Sequence, residues 1–134
     1  MLSSVQEMRT LTELDHTRIS KLLPREQAGS AIAAVLDAAD LVPAREVPAD
    51  VVTMYSQVLL ADLATGTQRK ITLCYPRDAE PATGFVSVLS PVGASLLGLP
   101  VGALAGWTTP DGQQASGRVL DILFQPEASG DYTL

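Results

Sequence analysis

The stretch Leu89-Ser90-Pro91-Val92-Gly93-Ala94-Ser95-Leu96-Leu97-Gly98 decides how this chain is read. Ser90 is a favoured helix cap, because its hydroxyl accepts from a backbone N–H of the first turn. Pro91 suits the first helical position, where no N–H partner is needed, and Gly98 is a favoured terminator. The segment Val92–Leu97 between them leaves room for two helical turns at most. Just upstream, Phe85-Val86-Ser87-Val88-Leu89 reads as a strand running into this helix.

Working outward, Met54–Leu60 and Arg69–Tyr75 flank the turn Ala64-Thr65-Gly66-Thr67 as a hairpin does. Ala103–Thr109 and Gly117–Gln125 form a final hairpin around Pro110-Asp111-Gly112. Strands without a βαβ rhythm and with one lone helix predict an antiparallel sheet curled over that helix, an α+β domain. Toward the N-terminus the pattern changes. A first helix starts at a Thr10 or Thr12 cap and runs to Leu23, where Pro24 stops it. A second, capped by Ser30, runs from Ala31 to about Leu41. The tight connection Pro24–Gly29 predicts an antiparallel helical hairpin, a short coiled coil, with arms about 18 Å long at ~1.5 Å per residue. The prolines of Pro43–Asp50 mark the linker, so residues 1–45 are expected as the hairpin and 46–134 as the sheet domain.

Composition narrows the functions. With 134 residues the chain holds one domain and a small appendage. Its hydrophobic share is 46% but its aromatic share only 4%, which opposes an aromatic-lined pocket. A net charge of −6 opposes a broad grip on nucleic acid or anionic membranes. One cysteine and one histidine are too few for a disulfide or a Cys/His zinc site, and no cofactor motif is readable. The N-terminal segment has neither a basic region nor an apolar run, so a cytoplasmic protein without a membrane segment is expected.

The Leu89–Gly98 stretch resembles the Ser-Pro signature of the C-terminal domain of the bacterial Gre transcript-cleavage factors. A fuller resemblance is to the Rnk branch of Gre-like proteins, regulators of nucleoside diphosphate kinase. It is carried by Glu46-Val47-Pro48-Ala49-Asp50-Val51-Val52-Thr53-Met54, by Pro91–Leu99, and by the tail Gln125-Pro126-Glu127-Ala128-Ser129-Gly130-Asp131-Tyr132. The resemblance implies an FKBP-like C-terminal domain that docks on RNA polymerase at the rim of its secondary channel. On that basis Leu89, Ser90, Pro91 and Val92 face the rim. It also implies a non-enzymatic regulator that competes with Gre-type factors. The alternatives from other classes are an FKBP-like prolyl isomerase and a transcript-cleavage factor. In Gre factors a long hairpin carries metal-holding acidic residues to the active centre. Here the hairpin is short, and its tip offers Glu26 beside the Arg25 cation.

Several other residues invite two readings. Asp15 and Arg18, at i,i+3 within the apolar arc of the first helix, form either an edge ion pair or a polar contact with a partner. Asp37 and Asp40, at i,i+3 on the second helix, are either a solvated face or a weak Mg²⁺ site. His16 is expected to be an exposed helix residue, Cys74 a small core hydrophobe and Trp107 a packing residue on a strand. Arg69, Lys70 and Arg77 are the one local basic cluster of the second domain, and the acidic tail is a weak complement to a basic surface. Oligomeric state is open, with a monomer the default.

Overall fold

The computed structural model describes residues 9–23 and 30–132. Strand β1 (Thr10–Thr12) leads into helix α1 (Glu13–Leu22), and α2 (Ala31–Ala38) leads into β2 (Asp40–Val42). After Val42 come β3 (Gln57–Asp62), β4 (Gln68–Cys74), β5 (Phe85–Ser87), α3 (Pro91–Leu96), β6 (Leu104–Thr108) and β7 (Gln114–Phe124). The last five strands form one sheet in the order β5-β4-β3-β7-β6. β3 pairs antiparallel with β4 and β7, and β6 with β7, but β5 lies parallel to β4. The sheet is therefore mixed rather than antiparallel. The chain makes the return without a crossover helix, through short 3-10 turns at Pro76–Asp78 and Pro81–Thr83.

Alternating residues of the strands point to one face. Val58 and Leu60 of β3, Ile71 and Leu73 of β4, Ala105 of β6 and Val119 of β7 all pack beneath Ala94 and Leu96 of α3 and the adjoining Leu97. Two register shifts between β3 and β7 mark bulges that bend these strands around the helix. The expected strand start at Met54 moves to Gln57 because Tyr55 takes a left-handed backbone, with φ 65°.

The N-terminal helices are not a coiled coil. Ile19 of α1 and Ile32, Val35 and Leu36 of α2 join the same core as Leu96 and Leu97. α1 has 10 residues and α2 has 8, so at ~1.5 Å per residue they rise about 15 and 12 Å, less than expected. The missing turns are spent on β1 and β2, which pair in parallel from Thr10↔Asp40 to Thr12↔Val42. The Thr12 hydroxyl caps α1 by accepting from the Asp15 N–H, and Ser30 caps α2 by accepting from Ala33. The Gln125 amide ties the tail to the linker: its Nε2 donates to the Pro48 and Val51 carbonyls, both at 2.8 Å. Among the described residues no helix is long and apolar enough to cross a membrane.

Candidate functional site

The corner where β5 meets α3 is built from short-range hydrogen bonds. The Ser90 hydroxyl donates to the Ser87 carbonyl at 2.7 Å and accepts from the Gly93 N–H at 3.1 Å. The Ser87 hydroxyl in turn accepts from the Leu89 N–H at 3.0 Å. With the turn held in this way, Pro91 is exposed while Leu89 and Val92 are half-buried against the core. Gly93 faces the turn so closely that a Cβ there would lie 2.0 Å from the Ser87 carbonyl oxygen. The far end of α3 is closed by Arg9, whose guanidinium donates to the carbonyls of Ala94, Ser95 and Leu97 at 2.9–3.2 Å.

This corner forms one wall of a groove of about 780 Å³ between α2, α3 and β6. Leu89, Ser90 and Pro91 line one side, Ile32 and Val35 another, and Trp107 of β6 closes it. The structure thus brings Leu89, Ser90 and Pro91 together with a tryptophan that sequence reading treated only as packing. Gly93 was also legible: glycine inside a helix costs ~1 kcal/mol relative to alanine, so it points to a close backbone approach. Arg9 carried no local signal, because its partners lie more than 80 residues away.

Several other expectations are corrected. Asp15 is not an edge residue: it is 2% exposed, and its Oδ2 accepts from the Met54 N–H at 3.1 Å. Burial pushes its carboxyl up from 3.8 to about 6, against the lowering effect of that hydrogen bond, with the Glu127 charge adding to the rise. Asp15 is therefore inaccessible to a partner. Asp37 and Asp40 do not share a helical face, since α2 ends at Ala38 and Asp40 belongs to β2. His16 is half-buried, with Nε2 3.1 Å from the Leu36 carbonyl, and links the two helices. Cys74 is buried as expected, and burial raises its thiol pKa. The basic cluster is divided: Arg69 and Lys70 are adjacent on β4 and so face opposite sides of the sheet, while Arg77 lies in the 3-10 turn beyond. In the tail, Glu127 accepts from the Thr53 hydroxyl at 2.7 Å instead of standing free. Arg25 and Glu26 lie outside the described residues.

Residues 47–124 match the family model "Transcription elongation factor, GreA/GreB, C-term". The chain belongs to the GreA/GreB family. Among its Gre-family relatives, it is 43% identical to the regulator of nucleoside diphosphate kinase of Escherichia coli strain K12, over 92% of this chain and 95% of that one. It is 51% identical to the elongation factor GreA of Solidesulfovibrio magneticus, over 55% of this chain but only 45% of the longer factor. A solved GreA/GreB-type elongation factor from Nitrosomonas europaea superposes with a TM-score of 0.68, at 30% identity, over 87% of this chain and 99% of that one. The curled sheet over α3 is thus the FKBP-like fold of the Gre C-terminal domain. Within that family the chain is similar over nearly its whole length to a protein named as a regulator of nucleoside diphosphate kinase.

Proposed function

We propose that the protein docks on RNA polymerase at the rim of the secondary channel through Leu89, Ser90, Pro91 and Val92, and competes there with Gre-type factors without stimulating transcript cleavage. The observation that carries this reading is the corner itself. An exposed proline and two half-buried aliphatic side chains are fixed by the Ser87–Ser90–Gly93 bonds beside an apolar groove, which is a rigid, partly apolar contact surface. Such a surface needs no charge of its own, which suits a chain of net charge −6. The lack of cleavage follows from reach and chemistry. Helices rising about 15 and 12 Å give little extension, and Asp37 and Asp40 do not share a helical face. Through occupancy of the rim the protein alters transcription, and with its relative named as a regulator of nucleoside diphosphate kinase, expression of that kinase is one output of this reading. It needs no catalytic group or cofactor for this.

The test is co-purification with core RNA polymerase. The wild-type chain is retained on immobilised core enzyme, and the Leu89→Ser, Val92→Ser double variant is lost from it while keeping its circular dichroism spectrum. A wild-type chain that elutes with the void contradicts the proposal.

A further inference from the structure

The five-stranded sheet ends in two unlike edges, β5 and β6. β5 is three residues long and capped: the Phe85 carbonyl accepts from the Glu80 N–H at 2.8 Å, and the Phe85 N–H donates to the Glu80 carbonyl at 3.2 Å. β6 runs for five residues, Leu104-Ala105-Gly106-Trp107-Thr108, and pairs with β7 alone. A strand edge presents a row of N–H and C=O groups to any other chain, and proteins blunt such rows with charges, prolines, bulges or a covering segment. β6 has no charged residue and no proline, and its register against β7 runs without a shift. Leu104 is 51% exposed. Gly106 is exposed too, and in a glycine that exposure is backbone.

The register fixes which groups point outward. The Thr109 N–H donates to the Gln113 carbonyl at 2.8 Å, and the Val119 N–H to the Ala103 carbonyl at 3.0 Å. Bonded pairs alternate along an antiparallel ladder, so Ala105 and Trp107 bond to β7 while the backbone groups of Leu104, Gly106 and Thr108 face away from it. Among the described residues no backbone hydrogen bond from outside β7 reaches β6. The outward residues are evenly spaced about Gly106. Turned end for end about that glycine, the row meets itself, with Leu104 opposite Thr108.

We infer that β6 is a homodimerisation edge, on which a second copy of this chain adds its own β6 antiparallel across a two-fold axis at Gly106. Each outward N–H then meets an outward carbonyl, and the two sheets become one. The charges at the ends agree. Arg118, opposite Leu104 in register, is exposed and reaches along β6, where its Nη1 donates to the Gly102 carbonyl at 2.8 Å. In this pairing the turn beyond Thr108 of the second copy, which carries the exposed Asp111, comes to that same end. Each copy carries a net charge of −6, so an uncharged strand flanked by these opposite charges is the favourable place of approach. Pairing closes at two, because both edges of the joined sheet are then β5, which Glu80 caps. The strand borders the groove beside the Leu89–Pro91 corner, but the pairing rests on β6 alone and not on the docking reading.

The test is sedimentation equilibrium of the full chain at concentrations up to about 1 mM, where even a weak interface populates the complex. The expected result is a reversible monomer–dimer equilibrium. Gly106→Lys sets two like charges at the two-fold axis, and its side chain has room in the monomer, since the nearest atom to a Cβ there is the Ala115 carbonyl oxygen at 3.9 Å. Gly106→Pro removes the outward N–H, a change that an edge strand tolerates. Both variants are expected to keep the circular dichroism spectrum and cooperative melting of the wild type in dilute solution, and to weaken dimerisation at least about tenfold. In the wild type, amide exchange at Leu104, Gly106 and Thr108 slows as concentration rises. A chain that stays monomeric across the whole range, dimerisation unchanged in both Gly106 variants, or exchange at the outward amides that does not respond to concentration would overturn the inference.

Discussion

Gly93 rests on the Ser87 carbonyl oxygen, at a distance where a Cβ would stand only 2.0 Å away. The contact is with backbone, which cannot swing aside as a side chain can. It sets how deeply α3 sinks into the sheet and so fixes the Leu89–Val92 corner. Gly93→Ala is expected to cost at least about 3 kcal/mol, the upper range for overpacking, although alanine is the better helix former. Urea denaturation measures it. A variant as stable as wild type would show that the corner is not held by this approach.

Pro91 separates folding from binding. It stands exposed at the first position of α3, where its missing N–H costs nothing. Pro91→Ala is expected to leave the melting temperature within about 2 °C of wild type, as exposed substitutions do. Affinity for core polymerase falls several-fold. Equal affinity, measured on immobilised polymerase, would remove Pro91 from the docking surface.

The buried Asp15 makes stability depend on pH in a defined direction. Its carboxyl titrates near 6 in the fold against 3.8 for the free group, so between these values the native state holds the extra proton. Stability therefore falls as pH rises from about 4 to 7, by up to about 3 kcal/mol from this group. Asp15→Asn still accepts from the Met54 N–H and lacks the charge, so its stability curve is flatter over that range and higher at pH 7. Asp15→Ala leaves the Met54 N–H without its partner and costs about 1–3 kcal/mol. Denaturant midpoints at pH 4, 5.5 and 7 for the three chains decide this.

Arg9 closes the other end of α3. Removing its guanidinium in Arg9→Ala leaves the carbonyls of Ala94, Ser95 and Leu97 without that donor. The expected loss is about 1–3 kcal/mol, read by denaturation. Amide exchange is expected to rise first at Leu97, whose N–H donates to the Gly93 carbonyl at the end of α3.

What the sequence disclosed and what it hid divide along the range of the interactions involved. The α3 boundaries, both caps on the N-terminal helices and the two hairpin turns depend on residues within four positions of one another, and each is legible at Thr12, Ser30, Ser90 or Gly112. The parallel β4–β5 pair was hidden because the return from Cys74 to Phe85 uses 3-10 turns and carries no helical periodicity. Asp15 looked like half of a surface ion pair because its true partner, the Met54 N–H, lies 39 residues away. The strands β1 and β2 hid inside helix-like spacing, since three residues are too few to show an alternation. At the candidate site Leu89–Val92 were singled out by the family resemblance of the Ser-Pro stretch. The Trp107 wall of the groove could not, because only the fold brings β6 beside α3.

The central claim is that the protein occupies the rim without working in the channel, and a backtracked elongation complex tests it most directly. Added alone, the protein is expected to release no cleavage product. Added in excess before a Gre cleavage factor, it is expected to slow that factor's cleavage in proportion to its own occupancy of the polymerase, and Pro91→Ala is expected to slow it less. Cleavage by the protein alone, or Gre-dependent cleavage at full rate when the protein saturates the polymerase, would contradict the account.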